Sequence, residues 1–227
     1  MNLNINEKEK AKENGFILLG KTGAGKTTLI NAVFNKIMGK AERSSKAVTK
    51  KCSLYYYKLK NNKIICLIDT PGLSDTETVD INNIDDIHLD EIIDFISKEN
   101  ISIKGILYLI NFQEERFDAD EQKTLIKYNK IFLFKNFWKI LVIIYTHFFV
   151  GPYEEEDEES IIKKRNITNE KLFNQLMEKV KDVSDMIDYN NLRIKYLNSF
   201  SEPKNEMMKK YNDKTRVELE KIFEELC

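Results

Sequence analysis

Gly20-Lys21-Thr22-Gly23-Ala24-Gly25-Lys26-Thr27 is the stretch whose reading decides the fold. A glycine, four residues, then Gly-Lys-Thr is the pattern of a loop that wraps nucleotide phosphates. Gly20, Gly23 and Gly25 let the backbone turn tightly with its N–H groups aimed at a β-phosphate. Lys26 supplies a charge that spans the β- and γ-phosphates, and the Thr27 hydroxyl suits Mg²⁺. The flanks agree. Phe16 to Leu19 is an apolar run with strand character, and Leu29, Ile30, Val33, Phe34 and Ile37 recur at helical spacing. That helix starts with its positive dipole end at the same phosphates. The predicted nucleotide-binding segment is Gly20, Lys21, Thr22, Gly23, Ala24, Gly25, Lys26, Thr27 and Thr28.

Outward from the loop, strand and helix signals alternate. Gly39 to Lys51 is polar and reads as a loop. Cys52–Leu59 and Lys63–Asp69 read as strands joined through Asn61-Asn62, a hairpin. A helix is expected over Asp85–Lys98, a buried strand over Gly105–Phe112, and a helix from Asp118 with Glu121 completing an aspartate capping box. Trp138–Tyr145 and Arg193–Leu197 read as further strands. Helices are expected over Ser160–Ile187 and from near Pro203 to the end. This pattern predicts a three-layer α/β fold of the P-loop type. Its six-stranded sheet is mostly parallel with one antiparallel strand, and a C-terminal helix follows. The expected division is a flexible segment over 1–13, a nucleotide-binding domain over 14–200, and a helix within 201–227 packed on that domain or extending from it.

A chain of 227 residues with net charge −1 has ample length for a core and no basic footprint for nucleic acid. The N-terminus lacks the apolar stretch of a signal peptide. The longest apolar run, Ile140–Tyr145, is too short to span a membrane. Cys52, Cys66 and Cys227 have no metal-ligand spacing, and reduced thiols suit a cytoplasmic protein. The run from Glu154 to Glu159 reads as a solvated loop leading into a helix.

The second chemical motif is Asp69-Thr70-Pro71-Gly72 at the end of a predicted strand. Asp69 suits a Mg²⁺ ligand acting through water, and the Gly72 N–H a γ-phosphate sensor. Its place after a phosphate loop, at a strand's carboxyl end, favours guanine-nucleotide chemistry. Between the two motifs such a protein needs a threonine for Mg²⁺ and the γ-phosphate. Thr49 fits best, with Ser44 and Ser45 as rivals.

GKTGAGKTTLINAVF, AVTK, DTPGLSDT and GILYLINFQEERFDADEQKTL…FWKILVIIYTHF together resemble the immunity-associated GTPases, the GIMAP or IAN family with an AIG-type G domain. The likeness spans Phe16 to Phe200, and ERFDADEQKTL is its most specific part. It implies a G domain related to septins and chloroplast import GTPases, binding GTP or GDP with Mg²⁺. It also implies a homodimer across the nucleotide face. Membrane association, through regions outside this chain, would place it on the cytosolic face of internal membranes. Arg116 in the box would reach across such a dimer to the partner's phosphates, with Gln113, Glu114 and Glu115 as alternatives for positioning water.

Two departures stand out. Where the base-recognition motif Asn/Thr-Lys-x-Asp belongs, the chain has Thr146-His147-Phe148-Phe149. His147 is expected to stack on or bond the base, and Asn198, after the last strand, to donate its amide to guanine O6. Leu73 follows Asp-x-x-Gly where a water-positioning glutamine belongs, so hydrolysis is expected to be slow. The expected catalytic set is Lys26, Thr49, Gly72 and Arg116, with Thr27, Thr49 and Asp69 at the metal. A GTP-binding assembly scaffold and an ATPase are the rival readings.

Overall fold

Three continuous apolar runs build the centre of the sheet: β1 (Gly15–Leu19), β4 (Ile103–Asn111) and β5 (Leu141–Thr146). Strands this uniformly apolar are stable only when both faces are covered. The computed structural model describes residues 3–39, 51–72, 81–113, 119–132, 137–148, 157–179 and 192–227. With β2 (Ser53–Lys58), β3 (Ile64–Asp69) and β6 (Arg193–Tyr196), the three runs form one six-stranded sheet in the order β2-β3-β1-β4-β5-β6. Every pairing is parallel except β2 with β3, where the Asn61-Asn62 turn returns the chain. Asn62 takes φ 68°, the left-handed value that asparagine tolerates in tight turns.

Alternate side chains of each strand face opposite layers. Ile17, Leu19, Ile106, Tyr108, Ile143 and Tyr145 join one core. Over it lie α3 (Ile81–Lys98), α4 (Ala119–Phe132), the short α5 (Phe137–Ile140) and α6 (Glu158–Lys179), through residues such as Ile92, Leu125, Trp138 and Phe173. Phe16, Leu18, Leu107, Leu109, Val142 and Ile144 face the other layer, made by α2 (Lys26–Phe34) and α7 (Glu206–Leu226). There Phe223 meets Phe16 edge to face at 4.6 Å between ring centroids. The C-terminal helix therefore packs on the domain.

Three expectations change. Within the supposedly flexible 1–13, residues Ile5–Lys12 form α1, opened by a capping box between Asn4 and Glu7. Its Ala11 is fully buried, and Lys12 accepts a backbone bond from Ser102. The apolar run at 138–145 is not all strand, because Trp138–Ile140 belong to the helical turn α5 and β5 starts at Leu141. The helix expected from Asp85 starts at Ile81. The acidic run enters α6 as anticipated: Asp157 accepts the Ser160 amide at 2.8 Å, and Glu158 and Glu159 occupy the first turn. Residues 180–187, the end of the helix expected there, lie outside the described residues.

Candidate functional site

The carboxyl ends of β1 and β3 lie side by side, with Leu18 in register with Asp69. The phosphate loop leaves β1 at this point and the Asp-Thr-Pro-Gly turn leaves β3, so residues 42 apart in the chain meet. The loop glycines have φ of 142° at Gly20, 80° at Gly23 and 89° at Gly25. These are values L side chains rarely adopt, and they turn successive N–H groups to one side. At Gly20 a side chain is also excluded by the Leu109 carbonyl. Lys26 is buried, and its ammonium donates to the carbonyls of Gly20 and Lys21, each at 2.9 Å. This folds the charged stem back over the loop that it serves.

Thr27 Oγ1 donates to Asp69 Oδ2 at 2.7 Å. The other oxygen, Asp69 Oδ1, is buried without a hydrogen-bond partner among the described residues. Burial pushes the Asp69 carboxyl above its ordinary range, while the Thr27 hydroxyl and the nearby Lys26 charge pull the other way. A buried carboxylate with an unmet oxygen is costly. A hard cation bound at this point would remove that cost. One hydroxyl and one carboxylate, completed by phosphate oxygens and water, are the donor set Mg²⁺ uses. Thr27 and Asp69 therefore fit the ion. Thr49, the third expected ligand, lies outside the described residues, as do Ser44 and Ser45.

Gly72 closes the phosphate end. A Cβ placed on it would come within 2.5 Å of the Thr22 amide nitrogen and nearer still to the Thr22 hydroxyl. No larger residue fits there without moving the loop. Thr70 is fully buried and donates to Leu18 O at 2.6 Å, which pins the turn to β1.

The base end is built at β5 and β6. Thr146 is buried and donates to Ala24 O at 2.8 Å, tying the base motif to the phosphate loop. His147 has φ 54°, its Nδ1 lies 3.2 Å from Thr146 Oγ1, and its ring edge reaches Gly25. This sets an imidazole beside the loop, where a purine could lie against it. Asn198 Nδ2 donates a hydrogen bond to Phe148 O, a contact that the sequence did not show and that uses one of the two N–H groups of the amide. Thr215 of α7 donates to Asn198 O at 2.6 Å. Asn198 thus braces the base loop. An aromatic cluster of Phe112, Tyr145, Phe148 and Tyr196 fills the space beneath. The Arg165 guanidinium lies 4.2 Å from the Phe112 ring centroid.

One participant escaped the sequence reading. Glu121, expected to cap α4, is 1% exposed; it accepts a hydrogen bond from Tyr108 Oη and pairs with Lys21 at 3.3 Å. The second residue of the phosphate loop is therefore anchored to the helix that follows the ERFD segment. Asp118 and Arg116 lie outside the described residues, as do Leu73, Glu114 and Glu115.

Comparison with known proteins places this geometry. The family model described as the AIG1 family matches residues 14–215. Immune-associated nucleotide-binding protein 13 of Arabidopsis thaliana is 30% identical over 146 residues, covering 64% of this chain and 41% of that protein. GTP-binding protein A of Dictyostelium discoideum is 29% identical over 137 residues, covering 60% of this chain and 28% of that protein. The matches thus span less than half the length of these relatives. Among solved structures, Arabidopsis thaliana Toc33 with GDP and Mg²⁺ aligns at a TM-score of 0.65 and 17% identity, covering 96% of this chain and 87% of that one. Aquifex aeolicus Era bound to GDP and aluminium fluoride aligns at 0.55 and 16%, covering 94% and 56%. Both share the fold. Another Toc33 structure is of an arginine-to-alanine mutant deficient in dimerization.

Proposed function

Because the chain belongs to the AIG1 family, we propose that it is a guanine-nucleotide switch that hydrolyses GTP to GDP slowly, with Mg²⁺, and faster as a homodimer. The observation that carries this reading is the meeting of the phosphate loop with Asp69, whose unmet oxygen Oδ1 sits beside the Thr27 hydroxyl. Loop amides and Lys26 neutralise the phosphates, and the Gly72 N–H reads the γ-phosphate. When bound, Mg²⁺ would be held by Thr27, Thr49 and, through water, Asp69, and would offset charge between the β- and γ-phosphates. His147 stacks on the guanine, and Asn198 holds the loop that frames it.

Leu73 cannot orient water, which supports slow turnover. Arg116, supplied across a dimer, is the group that raises the rate, and an arginine in that role is worth about 10³ to 10⁵ in kcat. The dependence of GTPase activity on dimerization described for Toc33 supports this assignment. Among the described residues no helix is long and apolar enough to cross a membrane. The reading we propose is of a cytoplasmic protein that associates peripherally with the cytosolic face of internal membranes.

Calorimetric titration with GDP, a non-hydrolysable GTP analogue and ADP, each with Mg²⁺, tests the reading. Guanine binding without ADP binding is expected, and Lys26→Ala abolishes it; equal affinity for ADP overturns the guanine assignment. Leu73 also favours a second reading, a GTP-binding assembly scaffold. A rate per molecule that rises with protein concentration, and flattens in Arg116→Ala, selects the hydrolase; bound but unhydrolysed GTP at every concentration selects the scaffold.

A further inference from the structure

We infer that Asn31 and Gly39 are positioning residues for the Mg²⁺ hydroxyl of Thr27, acting through the methyl group of that threonine. The inference rests on the metal reading above and deepens it. Thr27 stands in the first turn of α2. A threonine in a helix divides between two χ1 states, and the state it adopts decides where its hydroxyl points. Here the hydroxyl donates to Asp69 Oδ2 at 2.7 Å. The methyl group faces Gly39: a Cβ placed on Gly39 would stand 2.8 Å from Thr27 Cγ2 and 3.1 Å from Tyr55 Oη. The first distance is shorter than real side chains show, so glycine at 39 is what lets the backbone close on the methyl. With its methyl packed there, Thr27 holds its hydroxyl toward Asp69.

Gly39 lies beyond the end of α2, and Asn31 fastens it back. Asn31 is one turn after Thr27 on the same face of the helix and is 1% exposed. Its Oδ1 accepts from Met38 N at 2.8 Å and from Gly39 N at 3.1 Å, and its Nδ2 donates to Gly39 O at 2.9 Å. Nδ2 also donates to Ser201 Oγ at 3.2 Å, just past the base loop. These bonds use both donors and both acceptor lone pairs of the amide. The neighbours Leu29, Ile30 and Val33 serve the apolar core. Asn31, equally buried, is spent on a stretch of backbone.

The chain of contacts thus runs from the Asn31 amide to the Gly39 backbone, to the Thr27 methyl, to the Thr27 hydroxyl beside Asp69. A hydroxyl already held in place need not be ordered when an ion arrives, and that saving strengthens binding. Loosening the chain should therefore weaken the response to Mg²⁺ more than the grip of the loop amides and Lys26 on the phosphates.

The test is calorimetric: GDP affinity is measured with Mg²⁺ and in chelator, and the ratio of the two is read. In the starting protein Mg²⁺ should raise the affinity. Gly39→Ala presses a methyl on Thr27 and should cut the ratio by about fivefold, the penalty of a side chain forced off its rotamer. Adding Thr27→Ser removes the methyl that collides and keeps the hydroxyl, so the double variant should return to the ratio of Thr27→Ser alone. Asn31→Ala releases Gly39 and should cut the ratio in the same direction. A ratio unchanged in Gly39→Ala or in Asn31→Ala, or one that Thr27→Ser does not restore, overturns the proposal and leaves the metal reading standing. A starting protein whose GDP affinity ignores Mg²⁺ overturns both. Should Gly39→Ala lose its thermal transition, the transition must return in the double variant; its failure to return likewise overturns the proposal.

Discussion

The two ends of the nucleotide site are built on different principles. At the phosphate end, the polar side chains lean on one another and still leave a buried oxygen, Asp69 Oδ1, unmet among the described residues. At the base end, polar groups close on themselves: Thr146 with Ala24, Asn198 with Phe148, Thr215 with Asn198. Aromatic rings fill the rest. The phosphate end is thus incomplete without a charged ligand. The base end is a finished wall among the described residues, and on the proposed reading selectivity there comes from its shape, its backbone and the His147 ring.

The largest effect should come from breaking the bridge between the phosphate loop and α4. Lys21→Met takes the Lys21 cation away from buried Glu121, and removing one partner of such a pair costs about 3 kcal/mol. Chemical denaturation should show this loss, and Glu121→Gln added to Lys21→Met should recover most of it. If Lys21→Met alone is neutral, the pair does not hold the loop.

Asp69→Asn sharpens the contrast between the two ends. It removes a buried charge with an unmet oxygen, so thermal stability in chelator should hold or rise by up to about 1 kcal/mol. The stabilisation that Mg²⁺ with GDP confers on the unmutated protein should disappear. Falling stability in chelator would mean that Asp69 is structural in the apo state.

The mildest change is expected from Asn198→Ala. The Phe148 carbonyl loses its donor, which costs about 1 kcal/mol of stability. Guanine affinity should fall only as far as the loop loosens. If guanine affinity collapses while stability holds, Asn198 contacts the base directly and the finished-wall description fails.

These differences explain what could be read from the chain. The phosphate loop was legible because eight contiguous residues carry its geometry, and Asp69 because a strand end places it beside them. The mostly parallel sheet with one antiparallel strand followed from alternating strand and helix signals and the Asn61-Asn62 hairpin, whereas the strand order did not. The ion pair of Glu121 with Lys21 was not legible, because nothing linear ties a glutamate three residues after Asp118 to a lysine a hundred positions earlier. The bond from Asn198 to the Phe148 carbonyl was not legible, because its acceptor belongs to another loop. In α1 the signal was present: Asn4 and Glu7 form a capping box that the polar composition obscured. The apolar run at 138–145 gave no sign of where a helical turn yields to a strand, since both bury the same residue types.

The course of α7 has a practical consequence. The helix starts just after the base loop, which it braces through Thr215, and ends where Lys63 Nζ donates to Cys227 O, beside the start of β3. Its 21 residues carry the chain about 30 Å, from the nucleotide end of the sheet to the opposite pole. A tether or fluorophore attached at Cys227 would therefore sit at the pole opposite the nucleotide end, for optical measurements of ligand exchange and of pairing between copies.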